Sequence, residues 1–198
     1  MVILSSFNQK WQQIPKAIRV LLLRGIVLLV VWKLIYTIWL APQRILDAPL
    51  TYAVANQTAA FMKWIWPNGN YNISENIRPH KGDTESMVSH LFIQKNGLYT
   101  IAIADNCNGL ELMVLYIAFI ICMPGSIKRK LIFIGLTPVL HLVNLARCMG
   151  LVGMHLQWPG MFDFAHHYLF KIMVYATCFL MWVWYLKPIT SKKQNPHA

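Results

Sequence analysis

Acidic side chains are scarce in this chain. Only seven Asp and Glu occur in 198 residues, and charged residues of both signs make up 13%. A soluble domain carries about 25% charged residues, so a single water-soluble core is a poor explanation. Cysteine is also rare, with four residues and no Cys-x-x-Cys, which leaves out the usual dithiol redox motif. No internal repeat is present, and low-complexity sequence is limited to the tails. What is abundant is apolar: 57% of the residues are hydrophobic, beside a net charge of +11. Such a charge can signal nucleic acid, but here the basic excess sits in short clusters next to apolar segments. The composition is that of a membrane protein.

Three apolar stretches, Leu110–Met123, Leu131–Met154 and Tyr168–Leu186, approach the roughly 20 residues that cross a bilayer. A fourth, residues 18–40, is interrupted by Arg24 and Lys33, both within snorkelling reach of an interface. It is too long for a removed signal peptide and is expected to be a retained anchor. Lys10, Lys16 and Arg19 precede it; Lys128, Arg129 and Lys130 fill a later turn; Lys187, Lys192 and Lys193 follow the last span. Residues 41–106 balance five basic against five acidic side chains. The bias puts both termini and the basic turn in the cytoplasm and residues 41–106 outside. Residues 50–66 are too polar in their middle to span, and are expected to lie as an amphipathic helix on the outer interface. The expected fold is therefore an all-α polytopic membrane protein with four crossings, that interfacial helix and a small extracytoplasmic β-hairpin. Its parts are a cytoplasmic tail (1–17), an anchor (18–40), the outer segment (41–106), a three-helix membrane core (107–186) and a basic tail (187–198).

The hairpin is predicted about Lys95-Asn96-Gly97, between two alternating runs. It leads into Asp105-Asn106-Cys107-Asn108-Gly109, where one thiol stands at the outer start of an apolar run, with Asp105 or Asn106 as helix cap. Arg147 lies sixteen residues after Leu131, roughly 24 Å above the cytoplasmic end of its helix. His166 and His167 open the last span from the outer side. A thiol, a guanidinium and an imidazole thus come to one depth from three helices. Those types supply a nucleophile, a fixed cation for an oxygen and a proton carrier. Blander roles stand beside these. Cys122, Cys148 and Cys178 suit packing, Arg147 could reach headgroups, and the histidine pair could form a polar cap. Glu111 suits a helix start, Asp163 a helix cap or a partner for His166, and His141 an interhelical hydrogen bond.

Three blocks, DNCNGLELMVLYIAFIICMPG, NLARCMGLV and FDFAHHYLFKIMVYATCFLMWVWY, resemble the exosortase/archaeosortase family, and within it the short XrtF type. The likeness spans roughly residues 40 to 186. It implies a cysteine protease or transpeptidase in the inner (cytoplasmic) membrane, with its site facing the periplasm or outside. The matching positions are Cys107 as nucleophile, Arg147 as oxyanion or substrate stabiliser and His166 as acid/base, with His167 the competing assignment. The implied substrates are exported proteins ending in a short motif, a transmembrane helix and a basic tail. They are cleaved through a thioester and passed to water or a surface acceptor. Glu111 stands where many long exosortases have arginine.

Two other classes use the same residues. A non-enzymatic transporter or assembly factor would employ Arg147 and His166 as a polar binding layer. A membrane thiol oxidoreductase would need Cys107 to meet Cys148. A metal on Cys107, His166 and Asp163 lacks local ligand spacing. No cofactor and no nucleic-acid partner are expected; membrane lipid is.

Overall fold

The computed structural model describes residues 15–80 and 83–194, and for residues 17, 76–80, 83–90 and 188–194 the backbone alone. The tail at 1–14 with Lys10, and the side chains of Lys192 and Lys193, lie outside the described residues. The described chain is largely helical with one small sheet. Helix α1 (Lys16–Ile35) continues through a π-helical turn at Tyr36–Leu40. A corner at residues 41–46, where Arg44 adopts a left-handed φ of 50°, leads to α2 (Asp47–Ile65). Strands β1 (Tyr71–His80), β2 (Asp83–Lys95) and β3 (Leu98–Ile103) follow. Then come α3 (Leu110–Cys122), α4 (Ile127–Ile134), α5 (Thr137–Gln157) and α6 (Phe170–Gln194).

The sheet is antiparallel in the order β1-β2-β3. Asn96 and Gly97 form the β2–β3 turn with φ of 53° and 81°, the positive values that a two-residue turn matching strand twist requires. The predicted hairpin is thus present, extended by β1 into three strands. One face of the sheet rests on α2 and α5: Tyr71, Leu91, Ile93 and Ile103 share a core with Val54, Ala55, Met62, Cys148 and Val152. Residues 50–66 therefore do form a helix, but its Val54–Met62 side is buried inside the protein. Trp64, 80% exposed, points away.

A second core joins α3, α4, α5 and α6 around Tyr116, Ile120, Leu140 and Tyr185, all fully buried. Their polar ends are satisfied locally, Tyr116 donating to the Phe133 carbonyl at 2.8 Å and Tyr185 to that of Pro124 at 3.0 Å. The basic turn has structural work here as well. Arg129 donates to the Tyr185 carbonyl at 2.7 Å and lies over the Phe133 and Tyr185 rings. Lys130 caps the end of α3 through the Ile121 carbonyl at 2.6 Å. His141 takes the interhelical role expected of it, bonding Gln57 of α2 at 2.8 Å.

Two helical stretches, Ile127–Gln157 and Pro159–Lys187, are long and apolar enough to cross a bilayer. The first is broken at Gly135-Leu136, just before Pro138 at the start of α5, where proline cannot continue the preceding hydrogen-bond ladder. Helix α3 has 13 residues and a length of about 20 Å.

Helices α5 and α6 approach closely at Gly150, where a Cβ would overlap the ring of Phe170. Gly150→Ala is expected to lower stability by about 1–2 kcal/mol, and to cost much less in a Phe170→Leu background. Thermal unfolding in detergent checks this; an equal loss in both backgrounds contradicts it.

Candidate active site

Cys107 ends a single 3-10 turn, Asp105–Cys107, its own amide bonding the Ala104 carbonyl at 2.8 Å. Helix α3 begins only at Leu110, behind a left-handed Gly109 with φ of 84° that itself supplies no side-chain cap. Neither Asp105 nor Asn106 caps that helix, and the thiol precedes its first turn rather than standing on it. Asp105 does something else. Its carboxylate takes Arg44 Nε at 2.8 Å and Nη2 at 2.9 Å, and Thr51 Oγ1 at 2.8 Å. This two-pronged pairing holds the Arg44 guanidinium even more firmly protonated than usual.

Asn108 is buried at 1% exposure and uses its side chain in both directions. Nδ2 donates to Asp47 Oδ1 at 2.9 Å and reaches Thr51 Oγ1 at 3.3 Å, while Oδ1 accepts from the Leu110 amide at 2.8 Å. Asp47 in turn accepts from Tyr36 at 3.0 Å. The turn carrying Cys107 is therefore tied on one side to the α1–α2 corner.

Its other side is tied to α5. Asn144, also 1% exposed, donates through Nδ2 to the Cys107 carbonyl at 2.9 Å. Its Oδ1 accepts from Arg147 Nη1 at 3.3 Å. The two lie on one helix face because they are three residues apart. Gly109 is packed against the same asparagine: a Cβ there would sit 3.2 Å from Asn144 Cγ. Arg147 Nη2 approaches Cys107 Sγ at 4.0 Å, and the buried Arg147 Nε has no partner among the described residues.

Cys107, Arg147 and His166 all line one cavity of about 320 Å³ between β3, α5 and the α5–α6 connection. His166 sits in a π-helical turn, Ala165–Leu169, a local widening that often marks functional sites. Its ring lies parallel to Phe162 at 5.8 Å and edge-on to His167 at 4.8 Å. His167 is exposed and is not among the residues lining the cavity. No hydrogen bond joins Cys107 to His166 among the described residues, and Asp163 bonds neither histidine. Arg147 lies at the middle of α5, ten residues before its end, and the cavity extends along that helix to His155.

Two further residues border this cavity, of which only His155 was given no role from the sequence. His155, two turns beyond Arg147, lines the cavity and meets Phe162 edge-on at 5.5 Å. The buried Cys148 lines it too. Glu111 faces a second, smaller cavity of about 210 Å³ that Arg147 also borders. It pairs with Lys33 of α1 at 3.0 Å, which gives partners to the two charges least at home in apolar runs. No family model, curated protein or solved structure matches the chain.

Asn108→Ala is expected to cost about 1–3 kcal/mol, because Asp47 loses a buried donor. Asn108→Asp should cost more at neutral pH, where two carboxylates face each other, with the gap closing as pH falls and one takes a proton. Unfolding midpoints measured across pH check this; equal losses at every pH contradict it.

Proposed function

We propose that this chain is a membrane-embedded cysteine protease or transpeptidase of the exosortase type, acting at the outer face of the inner membrane. The observation that carries the reading is the shared cavity of Cys107, Arg147 and His166, with Asn144 bonding both the Cys107 carbonyl and Arg147. A nucleophile, a cation and an imidazole around one space large enough for a few residues form an acyl-transfer constellation.

In that reaction His166 takes the Cys107 proton and the sulfur attacks the scissile carbonyl carbon. Arg147 holds the resulting oxyanion with donors that have few protein partners. The C–N bond then breaks, His166 returns the proton to the leaving amine, and a thioester remains on Cys107. Water or an acceptor nucleophile attacks it and frees the thiol. The substrates are exported proteins with a C-terminal motif, a transmembrane helix and a basic tail.

The membrane setting draws on exposed apolar side chains along two helices, among them Val27, Ile38, Ile172 and Leu180 at 60, 74, 66 and 65%. Patches of that extent are solvated by lipid rather than water. Four crossings, with the basic turn inside, follow if α3 crosses as a short helix. Its length of about 20 Å is shorter than the roughly 30 Å hydrocarbon core, and the Cys107 turn directly precedes its first residues.

A second reading, thiol–disulfide exchange, draws on Cys148 lining the same cavity. One experiment separates the readings. In a Cys107→Ala strain, cleavage of C-terminally anchored proteins is expected to fall by about a thousandfold or more. Cys148→Ser should leave cleavage intact, and an impermeant maleimide should reach Cys107 from outside only. Normal cleavage in the Cys107→Ala strain overturns the proposal, equal dependence on Cys148 favours the oxidoreductase, and function retained by Cys107→Ser favours a binding or transport role.

A further inference from the structure

Strand β3 is the last of its sheet, with one long side paired to β2 and no strand on the other among the described residues. In an antiparallel pair every second residue turns its N–H and C=O away from its partner. Apart from the pairing with β2, residues 100–103 make no backbone–backbone hydrogen bond among the described residues.

The cavity that holds Cys107 runs along that side. Thr100, Ile101, Ala102 and Ile103 all line it. A space over the broad face of a strand touches alternate residues, since side chains alternate. Ile101, Ala102 and Ile103, which pair regularly with β2 beyond a bulge at Thr100, are touched in succession where the space meets the strand's edge. Beneath β3, Ile101 and Ile103 pack onto the core that includes α5, and Leu151 of α5 continues that floor into the cavity. Phe162 borders it from the α5–α6 connection. Four strand residues cover about 13 Å, and Cys107 follows Ile103 by four positions.

We propose that an extended segment of the substrate polypeptide adds to β3 as a fourth strand, and that this pairing selects which peptide bond meets Cys107. The inference rests on the protease reading and adds to it the substrate's conformation. Main-chain hydrogen bonds to an edge strand supply affinity with little regard to sequence, and the pockets for alternate side chains supply selectivity. Here alternate side chains descend onto Cys148 and Leu151, so the segment carries small or apolar residues at those positions; a charge there would be buried unpaired. The occupant is a single strand rather than the sheet of a second copy, because the space is about 320 Å³.

The test uses the full chain in lipid nanodiscs and an acetylated Ala–Val–Ala–Ala chloromethyl ketone, which alkylates a thiol with loss of chloride. Four derivatives each carry one N-methyl amide, and iodoacetamide reports the thiol alone. Alkylation of Cys107 is followed by intact mass. Methylation at alternate amides is expected to slow the peptide reagent by about tenfold, with the amides between changing it by less than about twofold. Equal effects at every position, or a peptide reagent no more selective for Cys107 than iodoacetamide, overturn the strand pairing and leave the protease reading standing. A Cys107 that no reagent alkylates overturns both.

Discussion

Asn108 is the point on which the arrangement of this site depends. With its side chain enclosed, each of its polar atoms must find a partner inside the protein, because an unmatched one costs about 1–3 kcal/mol. The partners it finds are Asp47 and Thr51 from α2 and the first amide of α3. Asp105, three residues earlier, adds a bidentate pair with Arg44. The Cys107 turn lies between these two anchors and has little freedom to move. Gly109 then reverses the backbone in a conformation that other residues adopt at a cost of about 1–2 kcal/mol, and lets Asn144 approach. In the short Asp-Asn-Cys-Asn-Gly stretch Asp105 and Asn108 are thus used as anchors, while Asn106 stays exposed and Cys107 lines the larger cavity.

The two cores divide the molecule around that stretch. Above, α2 and the sheet pack on the upper half of α5; below, aromatic side chains lock α3, α4 and α6 together. Arg147 emerges where the two meet and borders a cavity on either side of the Cys107 turn. Its position at the middle of a helix makes it rigid, and Asn144 fixes one arm. A guanidinium held in this way has its remaining donors already oriented, which in the proposed reaction is the condition under which electrostatic stabilisation of a transition state is most effective.

Parts of this were legible in the sequence for specific reasons. The Asn96-Gly97 turn announces itself because few residue pairs tolerate two positive φ values in succession. Cys107, Arg147 and His166, expected together from helix rise and charge bias, do line one cavity, although the helix counted from Leu131 to Arg147 is broken at residues 135–136. His166 and His167 could not be told apart that way, since neighbours on a helix differ in direction by about 100° and the π-helical turn shifts that direction further. Strand β1 was missed because its alternation, Asn-Ile-Ser-Glu-Asn-Ile, is mostly polar, although β2 begins only three positions after β1 ends. The roles of Asn108 and Asp105 were invisible for a different reason: their partners lie more than fifty residues away, where no local pattern reaches. The same distance, 78 positions, hid the Lys33–Glu111 pair.

In the proposed reaction Cys107 becomes covalently bonded to substrate. Acid quenching during turnover, followed by mass spectrometry of the peptide containing Cys107, addresses it directly. A transient acyl adduct is expected on that sulfur, removed by neutral hydroxylamine to leave the free thiol. Continued cleavage with no adduct at Cys107, or an adduct on another cysteine, would contradict it.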